Sequence, residues 1–241
     1  MGVLGSEAID STSSAWTPKQ LARLFDHTNL KPDCGLTQIQ TLCQEAADHE
    51  FAAVCVAPRW VVVAADILSK QGAGAVAVCT VVGFPHGNTT TKAKVLETQV
   101  AARAGAREID MVISIGDLKD GNDGYVEEDI SEVVQAARSE NAITKVILET
   151  AYLEKREIVK ACKLAVRAGA DFVKTSTGFA PSGANADIVR LMRDTVGNSV
   201  GVKAAGGIRT LADVQTMVGA GADRLGCSSS VQIVHEFGHE R

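Results

Sequence analysis

The sequence predicts a (β/α)8 barrel, on three observations. Eight short runs rich in β-branched residues alternate with longer helical stretches along 241 residues, close to the length typical of such a barrel. The runs are continuously apolar rather than alternating, as parallel strands covered by helices on both faces require. The triplet Ala-Gly-Ala recurs at 73–75, 104–106, 168–170 and 220–222, each time between a helical stretch and the next strand. A glycine there suits a helix C-terminal cap, and the roughly thirty residues between the first two repeats match one βα unit.

In order, the expected strands are Leu24–Thr28, Ala52–Ala57, Ala75–Gly83, Glu108–Ser114, Lys145–Thr150, Phe172–Thr177, Val200–Ala204 and Arg224–Cys227. No linker or compositional break divides the chain, so residues 16–241 read as a single domain, after a short, flexible N-terminal extension over residues 1–15. That extension begins Met1-Gly2-Val3-Leu4-Gly5-Ser6, a match to the myristoylation pattern that lacks the polybasic second anchor stable attachment needs.

Composition narrows the class. With 46% hydrophobic side chains the chain can bury a large core, and no stretch approaches a membrane span. A net charge of −5 with no basic block argues against nucleic-acid or membrane partners, while leaving room for a small anionic ligand at a local site. Cysteines 34, 43, 55, 79, 162 and 227 include no Cys-x-x-Cys pair, which fits reduced thiols and a cytoplasmic setting.

The chemistry is signalled by charged residues inside apolar strands: Asp110 in the fourth, Glu149 in the fifth, Lys174 in the sixth and Lys203 in the seventh. A charge there is costly unless it is paired or loses its proton. Strands of a closed barrel face one another across a narrow interior, so these four are expected to share one pocket at the C-terminal ends of the strands. An amine kept neutral by a nearby cation attacks carbonyls, which points to Schiff-base chemistry. The competing reading is a purely structural ion-pair network.

Loop chemistry favours the functional reading. Lys174 runs into Thr175-Ser176-Thr177-Gly178, Lys203 into Gly206-Gly207, and the eighth strand into Gly226-Cys227-Ser228-Ser229. Three low-bulk strand-to-helix turns at one end of a barrel suit a phosphate cradle. His235-Glu236-Phe237-Gly238-His239 matches a zinc-protease pattern, but a glycine interrupts it near the end of the chain, so no metal is expected. His86 is expected in a loop near the pocket mouth.

Taken together, Asp26-His27-Thr28-Asn29-Leu30-Lys31-Pro32, Val54-Cys55-Val56, Val82-Gly83-Phe84-Pro85, Glu108-Ile109-Asp110-Met111-Val112, Phe172-Val173-Lys174-Thr175-Ser176-Thr177-Gly178-Phe179, Val202-Lys203-Ala204-Ala205-Gly206-Gly207-Ile208-Arg209-Thr210 and Gly226-Cys227-Ser228-Ser229 resemble the deoxyribose-phosphate aldolase family, class I aldolases of the barrel type. The resemblance implies reversible cleavage of 2-deoxy-D-ribose 5-phosphate to D-glyceraldehyde 3-phosphate and acetaldehyde, in deoxyribonucleoside catabolism. It implies Lys174 as the Schiff-base lysine, Lys203 as the second lysine favouring its neutral form, and Asp110 as the acid-base residue working through water. Asp26, Thr28, Cys55 and Thr175 match substrate-lining positions, and Gly178, Gly206, Gly207, Gly226, Ser228 and Ser229 match the phosphate turns.

Because a protonated imine draws off the electrons of the breaking bond, neither metal nor other cofactor is expected. The expected partner is a small phosphorylated sugar, and a homodimer is compatible with the resemblance. The chain departs from some relatives in carrying Phe179 where they carry a lysine, and in ending His239-Glu240-Arg241 where they end in a tyrosine. A transaldolase-like transferase and a non-catalytic sugar-phosphate sensor stay open as alternatives.

Overall fold

The computed structural model describes residues 16–239. The expected N-terminal extension, with its myristoylation-like pattern, and residues 240–241 lie outside the described residues. Eight strands, β1 (Phe25–Asn29), β2 (Ala53–Val56), β3 (Ala77–Val82), β4 (Glu108–Val112), β5 (Ile143–Ile147), β6 (Phe172–Lys174), β7 (Gly201–Ala205) and β8 (Arg224–Cys227), pair in chain order, all parallel, and β8 closes on β1. This is the (β/α)8 barrel the apolar runs predict.

Two strand ends differ from expectation for identifiable reasons. The fifth strand starts at Ile143 rather than Lys145, which puts Lys145 in mid-strand, opposite Asp110 of β4. The sixth stops at Lys174, because the Thr175 hydroxyl bonds both the N–H and the C=O of Ala205 and replaces the ladder pairing beyond it.

Helices α1 (Pro18–Ala22), α2 (Leu36–Asp48), α3 (Val61–Lys70), α4 (Thr91–Arg103), α5 (Ile115–Lys119), α6 (Asp123–Ser139), α7 (Lys155–Arg167), α8 (Ala186–Val196), α9 (Leu211–Gly219) and α10 (Ser230–His239) fill the connections. Helix α1 precedes the barrel, starting in a Thr17 capping box with Pro18 in its first turn. No described helix is long and apolar enough to cross a membrane.

The Ala-Gly-Ala repeat has the physical basis proposed for it. At Gly105, Gly169 and Gly221 the backbone takes positive φ, and the following alanine donates to a carbonyl five residues back, as in Ala106 N–H to Ala101 O. In the first repeat the device falls earlier: Gly72, not Gly74, carries the positive φ. Helices α2 and α6 end the same way with Glu50 and Asn141 in that position, which no glycine pattern could reveal.

The main apolar core lies between the sheet and its helices. Inside the barrel the filling is divided. Ala53, Cys55, Cys79 and Val81 make an apolar side on β2 and β3, while β1 and β4 through β8 contribute charged side chains.

Candidate active site

Lys174 and Lys203 are register partners on adjacent parallel strands, so their side chains leave the same face of the sheet, toward the barrel axis. Asp110 reaches them from across the barrel. One of its oxygens accepts from Lys174 Nζ at 2.7 Å and from Lys203 Nζ at 2.7 Å, and the other from Lys145 Nζ at 2.8 Å. Lys203 also pairs with Asp26. Lys145 further contacts Glu108 at 2.6 Å and Asp26 at 3.4 Å. Arg224 closes the network below, 2.6 Å from Asp26 and 3.3 Å from Glu108.

Burial is the largest single influence on these groups and favours their neutral forms, but the partners outweigh it. Desolvation pushes the Asp110 carboxyl up, yet the ammonium groups of Lys145, Lys174 and Lys203 hold it well below the usual carboxylate range. Asp26 is likewise held low, against its burial, by Lys203, Lys145 and Arg224. Against desolvation, Asp110 is the leading partner that raises both Lys145 and Lys203 above the ordinary lysine value, and Asp26 the one that raises Arg224. By formal charge, four cations face three carboxyl groups. Lys174 stands apart: Asp110 is its sole ion-pair partner among the described residues, and it alone of the four reaches the wall of the cavity above.

That cavity, about 760 Å³, opens at the C-terminal ends of the strands. Lys174 lies at its base. Its rim includes Thr28, Thr177, Gly178, Gly206, Gly207, Gly226 and Ser228, so the three glycine turns expected to cradle an anion do converge. Gly178, Gly206 and Gly207 all have positive φ, a conformation that residues with a Cβ rarely adopt, and a Cβ at Gly206 would also meet Gly183 Cα at 3.0 Å. Lys31 and Arg209 bring two cations to the same wall, while Phe179 packs edge-on against Phe84.

Other expected residues sit elsewhere. Asp26 is in the ion network beneath the cavity. Cys55 is in the apolar side of the barrel, beside Cys79, and the hydroxyl of Thr175 is spent on the Ala205 backbone. The Ser229 N–H is bonded to Cys227 Sγ. Glu149 does not join the four-membered cluster; its carboxyl group turns to Thr177, and Lys145 takes the place on β5. His86 lines a separate groove over α4, and His235 meets the ring of His49. The donors Cys55, Cys79 and Asp110, or Asp26, Cys79 and Glu108, come close enough to suggest a metal. Lys145 Nζ already bonds Glu108, Asp110 and Cys79 Sγ, so an ammonium occupies the position a cation would take.

The sequence reading passed over Lys145, Arg224, Thr177 and His27. Lys145 carries the same signal as the other two lysines, a charge within Ile-Thr-Lys-Val-Ile. His27, whose pKa burial lowers, spans Glu45 Oε2 at 2.8 Å and Ser230 Oγ at 3.2 Å and so ties β1 to α2 and α10.

Comparison with known proteins supplies the family and the same fold. Residues 20–229 match the model of the DeoC/LacD family aldolases. Deoxyribose-phosphate aldolases of Bacillus cytotoxicus and Bacillus mycoides are each 53% identical over 214 residues, which is 89% of this chain and 94% of theirs. A deoxyribose phosphate aldolase from Aeropyrum pernix, described as tetrameric, superposes with a TM-score of 0.86 at 34% identity, covering 93% of this chain and 94% of that one. The chain belongs to the DeoC/LacD aldolase family.

Proposed function

With membership of this aldolase family as premise, we propose that the chain catalyses reversible cleavage of 2-deoxy-D-ribose 5-phosphate to D-glyceraldehyde 3-phosphate and acetaldehyde through a Schiff base on Lys174. The observation that carries the reading is a single lysine at the base of a cavity rimmed by three glycine turns, bonded to a carboxylate that two further lysines hold ionised. Lys174 gives its ammonium proton to Asp110 and adds to C1 of the open-chain sugar as the free amine; the proton then surplus on nitrogen and the one held by Asp110 both pass to the C1 oxygen, which departs as water and leaves a protonated imine. The C3 hydroxyl then gives its proton to the Asp110 carboxylate and becomes the aldehyde of glyceraldehyde phosphate. The C2–C3 electron pair moves into an enamine, cancelling the iminium charge. Asp110 returns that proton to C2, and hydrolysis of the resulting protonated imine releases acetaldehyde and restores Lys174.

Lys203, held by Asp26 and Asp110, places a fixed positive charge beside Lys174, on the same Asp110 oxygen. The Gly178, Gly206–Gly207 and Gly226–Ser228 turns offer backbone N–H groups to the phosphate, with Lys31 and Arg209 supplying charge. A sugar phosphate is thus the partner, in a cytoplasmic catabolic role. Self-association as a homodimer draws support from the exposed Leu96 and Val100 one turn apart on α4, and sedimentation analysis tests it.

Borohydride reduction with acetaldehyde, followed by peptide mapping, is the deciding experiment. The adduct is expected on Lys174; an adduct on Lys203 or Lys145, or none, would overturn the assignment. Ser228→Asp is expected to raise KM about tenfold or more for the phosphorylated sugar and to affect deoxyribose less.

A further inference from the structure

Glu149 carries three separate costs at one position. It is 2% exposed, so a carboxyl group has been taken out of water. Its backbone is left-handed, with φ 55° and ψ 65°, in a residue that has a Cβ. One of its oxygens, Oε1, is buried without a hydrogen-bond partner among the described residues. Costs of this kind persist where something else over-determines them, most often next to a functional site.

The backbone shows how the residue comes to be there. Leu148 N–H donates to Lys174 O at 2.9 Å, and Thr150 N–H donates to Thr175 O at 2.9 Å. The β5 side therefore advances two residues while the β6 side advances one, and Glu149 is the extra residue of a bulge. Bulges bend a strand and re-aim a side chain. Here the re-aimed carboxyl group accepts, at Oε2, both the N–H of Thr177 at 3.1 Å and the Thr177 hydroxyl. That hydroxyl in turn accepts from Phe179 N–H at 3.0 Å. Thr177, Gly178 and Phe179 are all cavity wall, three to five residues beyond Lys174.

We infer that Glu149 is a positioning residue: its carboxyl group holds the Thr177–Phe179 turn in the shape that receives the phosphate end of the substrate. The inference rests on the aldolase reading and adds to it a residue that does not itself touch substrate. The bulge supplies the aim, Oε2 supplies a double acceptor, and Gly178, at φ +89° with open space around it, supplies a turn that would otherwise be free to move.

The test is a pair of variants. Glu149→Leu keeps the bulk and removes the acceptor, leaving two donors of Thr177 unpaired; KM for deoxyribose 5-phosphate should rise about tenfold to a hundredfold, with kcat changed far less. Glu149→Gln keeps an acceptor oxygen without the charge and should recover most of that loss. A Gln variant as impaired as the Leu variant, with an altered pH profile of kcat, would make Glu149 an acid or base and overturn the inference. An unchanged KM in the Leu variant, with only a lower Tm, would overturn it too. Should Glu149→Leu fail to fold, Thr177→Val removes the hydroxyl half of the same clamp and should raise KM in the same direction. Absence of acetaldehyde trapping on Lys174 in the parent enzyme would count against the aldolase reading; trapping with an unmoved KM in the variants would count against Glu149 alone.

Discussion

Two buried ion clusters in this molecule are alike in chemistry and opposite in use. Between α4 and α6, outside the barrel, Lys94 Nζ meets Asp129 at 2.5 Å and Val112 O at 2.9 Å, and both side chains are fully buried. Asp129 is completed by Thr91, so the pair is closed, one cation to one carboxyl group, and neither Lys94 nor Asp129 lines either of the two large cavities. Inside the barrel the network is branched, formally has one cation more than it has carboxyl groups, and opens to a cavity at Lys174. Burial of charge is common to both. Stoichiometry and an open end are what distinguish a site from a brace.

The strongest way to break the comparison is Lys174→Leu. Asp110 would keep Lys145 and Lys203, so the fold should survive while turnover falls by roughly four or more orders of magnitude. A folded Leu variant with substantial activity, read by circular dichroism and a coupled assay, would put the site among the structural networks. At the other cluster the expectation reverses. Lys94→Met strands Asp129 and should cost about 3–5 kcal/mol in denaturant unfolding, with kcat and KM of the folded fraction unchanged, and adding Asp129→Leu should return much of the loss.

Acid unfolding sharpens the contrast further. Asp26 and Asp110 are held below their unfolded values, so the stability they contribute is fully present above the ordinary carboxylate range and is lost progressively as pH falls from that range toward their depressed folded values. The share of the unfolding free energy carried by these two carboxyl groups should be level from pH 8 to 6 and then drop below about pH 4 by roughly 1.4 kcal/mol per pH unit for each group. Asp26→Asn should remove one group's share of that slope; an unchanged slope would count against the ionised state assigned to Asp26. The smallest effect is kinetic. Lys203→Leu removes a positive charge next to Lys174, so activity should fall and its pH optimum should move up. An unshifted profile with a clear loss of stability would make Lys203 a brace of the Lys94 kind.

Much of this was legible in the chain. Lys174, Lys203 and Asp110 announced themselves as charges in apolar strands, and the glycines after β6 and β7 and near the end of β8 announced an anion site, because both signals are local and their cost can be read from sequence. Glu149 gave the same signal and was placed in the wrong layer. Its strand pattern continues unbroken to Thr150, whereas the chain inserts a bulge there and turns the side chain away from the lysines. Thr175 and Thr177 are indistinguishable by type; the sheet ladder claims the first and frees the second for the cavity wall.

The sequence by itself determined the order and type of the elements, since continuous apolar runs and recurring helix caps act over a few residues and specify parallel strands between helices. Closing the barrel decided the rest. Only when β8 paired with β1 did Asp26 come within reach of Lys203 and Arg224, residues 177 and 198 positions away, and only register on neighbouring strands set Lys145 against Asp110 and Lys203 against Lys174. Pairwise electrostatics in a dry interior depend on distances of a few ångströms, and those distances are fixed by strand register and barrel closure rather than by spacing along the chain.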